Sequence, residues 1–352
     1  MKIIKRISVV GIALGLSLAL TACDPPMPED IKIAQAEKVV RCAEGSGEMV
    51  VPEAISDLGI GWADSLASSC SNMTLTTVDA PTESSVLVIG DSIAQAQQPA
   101  FLNVPFAIDA AVLVVNIPDV FEINLSAPTI IGIFDGSISN WNDAAIVADN
   151  DGLELPDLKI TLPTMASKAQ KGALAFWVKS LTGEQLDLSM LKDSTPTDET
   201  SLALPEIEGA ISIASYSSAL LNGSSFASIL TVPAETQTAV LASTETIYAA
   251  TTQLVSEKTS GIQLKIDSKL KPQAPEGSSE AALPYQAIFT VNLALLGEDS
   301  ELTRTLARFL LRQDSQGTIA SGTMLPTPEF ARILAVKEIE KGLPAAADLP
   351  TE

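Results

Sequence analysis

The run Gly132–Ile146, G-I-F-D-G-S-I-S-N-W-N-D-A-A-I, decides how this chain reads. It mixes apolar and turn residues in a way chance rarely produces, and Ile130–Phe134, which leads into it, reads as a short buried strand. Two further apolar runs precede it. Val86–Ile89 is closed by Gly90-Asp91, and Ala110–Val115 is closed by Asn116-Ile117-Pro118. Both read as buried strands of a parallel sheet. Beyond it, Ala173–Leu181 carries apolar residues at helical spacing (Leu174, Trp177, Val178, Leu181), and Gly209–Ala214 is a strand. Glu301–Arg312 is helical, with Leu302, Leu306, Phe309 and Leu310 on one face and Arg304, Arg308 and Arg312 on the other. Pro205, Thr195–Glu199 and Ala274–Ser279 read as loops. Strands alternating with helices indicate an α/β fold. No internal repeat is visible.

The N-terminus reads as a targeting segment. Lys2, Lys5 and Arg6 precede an apolar stretch, Ile7–Leu20, that is short for a membrane span. Leu20-Thr21-Ala22-Cys23 looks like a lipobox, in which Cys23 is acylated and becomes the mature N-terminus. The competing reading is an ordinary secretory peptide with a coincidental Cys. The acyl anchor (palmitate) would hold the protein at the cell membrane, facing the periplasm or the extracellular side. Acidic and Pro-rich sequence follows, expected as a flexible tether over 23–36 behind a signal peptide at 1–22. Cys42 and Cys70 remain. Export places them in an oxidising compartment, where an even pair argues for a disulfide over two buried free thiols. Its loop of about 28 residues is worth roughly 3–4 kcal/mol in the chain-entropy model.

Composition excludes several function classes. The formal net charge is −22 over 352 residues, which leaves no basic patch for nucleic acid and no polybasic dock for anionic lipid. The chain has no His. That removes the commonest general base and metal ligand, along with Ser-His-Asp and Cys-His chemistry. No nucleophile elbow, P-loop or dinucleotide fingerprint is present. Asp149-Asn150-Asp151-Gly152 hints at a calcium loop, but the flanking Val147 and Leu158 break the EF-hand pattern and leave a polar turn. The chain reads as a non-enzyme with no cofactor and no metal. Its length exceeds one ordinary domain and favours two lobes.

Several anchors resemble the solute-binding proteins of bacterial phosphate ABC transporters. Gly132–Ile146 is similar to a scaffold signature of that family, in which Trp-Asn-Asp starts a short helical turn. Gly90-Asp91-Ser92 resembles the family's Ser-Asp-Ala turn. Val112–Pro118 resembles its crossing strand. Leu155-Pro156 before Ile160, Gly209-Ala210-Ile211, Phe309–Gly317 and Leu325-Pro326 follow in the family's order. Leu220–Leu283 carries no such anchor. The resemblance implies a two-lobed periplasmic-binding-protein fold of type II, each lobe a central mixed β-sheet flanked by helices. Lobe 1 is expected over 37–117 and 246–345, and lobe 2 over 118–245.

It also implies a ligand set of backbone N–H groups, hydroxyls, one Arg and one Asp, the Asp accepting a proton from the anion. Asp91 stands at that Asp, and equally suits a helix N-cap. Ser92, Ser46, Thr82 and Ser84 are the hydroxyl candidates. The first ligand loop is expected at Glu44–Glu48 and the second at Asp79–Ser85, both with added acids that would repel an anion. Met165 falls where the Arg is expected, and no Arg occurs between Arg41 and Arg304. Lys168 or Lys171 would supply charge without the bidentate fork, or else belong to a solvated loop. Lys171-Gly172-Ala173 would replace the family's Ser-Gly-Thr.

The resemblance thus implies a monomeric lipid-anchored receptor that binds phosphate or another small polar solute or anion and hands it to an ABC permease. The competing expectation is a degenerate binding-protein-like lipoprotein, structural, sensing or assembling, without phosphate binding.

Overall fold

In the computed structural model, residues 29–91, 98–193, 207–231, 238–259, 261–278 and 280–344 are described. The chain divides between Lys38 and Val39 into two units. The first contains helix α1, Glu29–Ala36, so part of the stretch expected as a tether is helical. Cys23 lies outside the described residues.

The second unit holds the rest. It opens with β1 (Gly45–Val50), a 3₁₀ turn at Glu53–Ile55, α2 (Ser56–Ser69), β2 (Met73–Val78), β3 (Ser85–Gly90) and the long β4 (Ala100–Val115). Then come β5 (Asn124–Ser126), α3 (Ala127–Asp135), α4 (Ala144–Asp149), β6 (Met165–Ala166), α5 (Lys168–Thr182), β7 (Lys192–Asp193), β8 (Ile211–Ser215) and α6 (Tyr216–Leu221). Next are β9 (Ser228–Thr231), β10 (Thr238–Val240), α7 (Thr244–Thr251), and the hairpin of β11 (Leu254–Thr259) and β12 (Gly261–Ile266). The chain closes with β13 (Ile288–Leu296), α8 (Glu301–Leu310), α9 (Gln313–Ile319), β14 (Leu325–Pro326) and α10 (Glu329–Glu340).

The architecture is mixed α/β in two lobes. The larger sheet has the order β14-β4-β13-β3-β1-β2. Its β1 runs parallel to β2 and β3, while β13 is antiparallel to both β3 and β4. A smaller sheet has the order β10-β9-β5. Strand β4 belongs to more than one pairing. Residues up to Ala110 pair with β13, and Ala111–Val115 pair with β8. This second half contains the expected crossing strand. Its neighbour in space, Tyr285, is buried, donates from its hydroxyl to the Ala111 carbonyl (2.9 Å) and packs edge-on against Trp177 of α5.

Two expectations for the strands change. Ile130–Phe134 is not a strand but the body of α3. Ser126 caps its start, Pro128 occupies the first turn and Gly136 closes it in the left-handed region. Six of its nine residues are buried, so no polar face betrayed the helical period. Ala110–Val115 is a strand, but an antiparallel one. Both its faces are covered, which erases the alternation that usually marks antiparallel pairing. Helix α8 forms as expected, and Arg304 and Arg308 on its second face are buried.

The signature Gly132–Ile146 is scaffold chemistry. The Asp143 side chain caps α4. Asn140 accepts from the N–H groups of Asn142 and Leu158 and donates to Asp157. Trp141 is fully buried and its indole N–H donates to the Gly209 carbonyl (2.9 Å). Asp149 and Asn150 tie α4 to β5: Asp149 accepts from Ser126 and Thr129, and Asn150 pairs with the Asn124 backbone. Cys42 and Cys70 form a disulfide between the approach to β1 and the end of α2.

Candidate functional site

Parallel strands deliver their C-terminal ends to one edge of a sheet, and ligands of open α/β sheets collect there. Here β1 and β3 end at that edge, in Pro52-Glu53-Ala54 and Gly90-Asp91. Strand β4 continues past it. In the β13 register Gly90 lies opposite Asn292 and Asp109 opposite Phe289, which carries Asp109 beyond the end of β3. Strand β8 returns antiparallel to β4 and sets Ser215 opposite Ala111. The turn into α6 then presents Ser217 and Ser218.

These segments surround a cavity of about 140 Å³, walled by Pro52-Glu53-Ala54, Gly90-Asp91, Asp109, Ser215, Ser217, Ser218 and Asn222, with Leu221, Phe289, Val291 and Met324 as its apolar lining. Three of these residues are acids. Among the described residues no Lys or Arg lines the cavity.

Asp91 accepts a hydrogen bond from the Ser167 hydroxyl, and burial raises its pKa against that bond. Ser167 is itself buried and caps α5, accepting from the Ala169 N–H. Asp109 is 1 % exposed. It accepts from the Ala110 N–H (2.7 Å), the Ser217 N–H (3.3 Å) and the Ser217 hydroxyl. Burial pushes its carboxyl up to about 7, the three donors pull the other way, and the nearby Asp91 charge adds to the rise. Ser215 caps α6, accepting from the Ser218 N–H.

The structure sorts the sequence candidates. Asp91 lines the cavity. Ser92 lies outside the described residues, as does the helix an Asp91 cap would start. Ser46 is exposed on β1, because Glu44–Glu48 is the approach to and body of a strand rather than a loop. A Cβ at Gly47 would come within 2.5 Å of Val86 Cγ2 and 3.0 Å of Leu306 Cδ1, so that glycine serves packing of β3 and α8 against β1. Thr82 donates to Glu48 and accepts from the Ser84 N–H, in the short link over β1 from β2 to β3. Neither Thr82 nor the exposed Ser84 lines the cavity. Lys168 is exposed at the start of α5. Lys171 pairs with Asp193 (2.7 Å) and donates to the Leu191 carbonyl (2.8 Å). Gly172 is exposed, and a Cβ there would meet nothing within 4 Å. Met165 sits on β6.

Sequence reasoning missed Asp109, Ser167, Ser215 and Ser217. Asp109 did carry a signal, as a lone acid inside the apolar run Phe106–Val115. The serines carried only the weaker mark of a small polar residue ahead of a helix.

A family model described as PBP superfamily domain matches residues 78–284. The chain belongs to the PBP superfamily. It is 47 % identical over 60 residues, 16 % of each chain, to the phosphate-binding protein PstS of Xylella fastidiosa strain Temecula1. It is 26 % identical over 248 residues to PstS 3 of Mycobacterium tuberculosis strain H37Rv, covering 66 % of this chain and 63 % of that one. The matched region thus spans less than two thirds of either relative. Among solved structures, a human phosphate binding apolipoprotein shares the fold at TM-score 0.53 and 13 % identity, over 86 % of this chain and 95 % of that one. A high affinity periplasmic phosphate-binding protein, PfluDING, does so at TM-score 0.53 and 12 % identity, over 86 % and 99 %. Among the described residues, no helix is long and apolar enough to cross a membrane.

Proposed function

We propose that this chain is the solute-binding protein of an ABC-type uptake system and that its solute is phosphate, held in the cavity of Asp91 and Asp109. Superfamily membership and relatives named as phosphate-binding proteins support the reading. The observation that carries it is Asp91, a half-buried carboxylate at the end of a parallel strand, fixed by Ser167 and lining the cavity. A carboxylate accepts and never donates when ionised, so it welcomes an oxyanion that brings a proton and repels one that does not. The hydroxyls of Ser215 and Ser218 line the same cavity and supply donors, while the Ser217 hydroxyl is committed to Asp109 and the Asn222 amide to the Ser218 carbonyl.

The same reading places the protein outside the cytoplasm, anchored by an acyl chain on Cys23 and working as a monomer with a permease. Domain boundaries at 37–117 with 246–345, and 118–245, put the cavity where β4 passes from lobe 1 towards lobe 2. Isothermal titration of the purified protein with inorganic phosphate is the test. Saturable heat and thermal stabilisation are expected, with both lost in Asp91→Ala. No heat and no stabilisation at millimolar phosphate would end the phosphate reading.

A further inference from the structure

Asp91 alone would suffice to accept one proton from a bound anion, yet the cavity contains a second carboxyl group at hand. Asp109 is buried, lines the same cavity and is held by three donors that fix its orientation. The charged groups facing it are Asp91, from the end of β3, and Glu53, from the turn after β1. Strands β13 and β8 and helix α6 present Phe289, Val291, Ser215, Ser217 and Asn222 there, none of them charged. Helix α5 carries the nearby basic sequence, but Lys171 is committed to Asp193. No cation among the described residues lining the cavity offsets the two aspartates.

An oxyanion can touch an ionised carboxylate only through a proton between them, because both are acceptors. Two carboxylates therefore need two protons. Hydrogen phosphate brings one, and dihydrogen phosphate brings two. Resting on the phosphate reading above, we propose that Asp109 is a specificity-determining residue that makes this site take phosphate with two protons shared between ligand and cavity. Binding that starts from the dianion then takes up one proton from solvent, and that proton bridges the phosphate and Asp109. Sulfate, with no proton to contribute near neutrality, is rejected twice. The position of Asp109 near neutrality fits this role, since the group can hold the second proton itself when the ligand arrives with one.

The experiment is calorimetric titration of the full protein with inorganic phosphate between about pH 5.5 and 8.5, in buffers of different ionisation heat. The wild type is expected to lose affinity as pH rises, with a limiting slope of about tenfold per pH unit for one linked proton. At the alkaline end it takes up about one proton per phosphate. Asp109→Asn keeps an oxygen for the Ala110 and Ser217 N–H groups, and its NH2 donates to the Ser217 hydroxyl in place of accepting from it. It is expected to lose the proton uptake, flatten the profile and bind more tightly than wild type at the alkaline end. Ser217→Ala retains the carboxyl but removes a donor to its ionised form, so the fall moves to higher pH. Affinity independent of pH, or the same slope in Asp109→Asn, overturns the role of Asp109 and leaves phosphate binding intact. Absence of phosphate heat at every pH in all three proteins overturns the phosphate reading and this inference with it.

Discussion

Burying Asp109 on β4 ties the stability of the fold to pH. Its folded pKa of about 7 lies above the ordinary value of 3.8, so the fold favours the protonated form. That contribution is fully present below about pH 4 and is lost as pH rises towards 7. The whole difference corresponds to about 4 kcal/mol at most. Asp109→Asn is therefore expected to melt higher than wild type near pH 8 and close to it near pH 4, by calorimetric or circular-dichroism melting. An unchanged gap between the two proteins at both pH values would contradict this. At the same scale, Gly209 is a junction. Its N–H donates to the Asn116 carbonyl (2.7 Å), and its own carbonyl accepts from Trp141 and the Thr161 N–H. It has φ +81°, and a Cβ would lie 2.4 Å from the Lys159 carbonyl. Gly209→Ala should destabilise by about 2–4 kcal/mol in urea denaturation, through both strain and displacement. A loss under about 1 kcal/mol would show that the junction yields. Trp141 and Gly209 were both visible in the sequence as separate anchors. That they hydrogen-bond to each other was not, since 68 residues separate them. Asp109 was passed over because the strand was read as starting at Ala110, one residue after it, whereas β4 runs from Ala100.

Short apolar strands and amphipathic helices were legible, and a largely buried helix was not. The spans of α5, β3 and β8 follow from periodicity and flanking residues. Helix α3 read as a strand because six of its nine residues are buried. Helix α8 was legible, but not the partners of its arginines. Arg304 pairs with Asp299 through two nitrogens, the longer contact at 2.8 Å, and donates to the Glu338 and Ile339 carbonyls at the end of α10. Its guanidinium also stacks 5.5 Å over the Phe101 ring. An arginine can satisfy so many acceptors because its planar fork carries five donors, and such a residue reads as solvated in any hydropathy pattern. Arg304→Lys is expected to destabilise the protein by about 2 kcal/mol or more, since an ammonium cannot reach both the carboxylate and the two carbonyls. A Lys variant indistinguishable from wild type in chemical denaturation would refute the assigned contacts.

On the scale of the whole molecule, β4 explains the arrangement. One continuous strand serves the large sheet up to Ala110 and pairs with β8 beyond it. Asp109 stands just before the change of partner, beside the ends of β1 and β3. A cavity at that place senses both sets of elements, which is what a receptor that closes on its solute requires. The overall acidity, −22 in formal charge, acts over long range and is screened by salt, whereas the polar wall of Ser215, Ser217 and Asn222 acts at contact distance. The fold was legible because its anchors are backbone and packing devices. The site was less so, because the residues meeting at the cavity come from six separate segments of the chain. The most direct measurement is a crystal structure grown with phosphate near pH 5.5. Phosphate is expected between Asp91, Asp109 and the serines of α6, with an oxygen within hydrogen-bond distance of each carboxylate. A cavity empty at saturating phosphate, or phosphate bound elsewhere, would contradict the account.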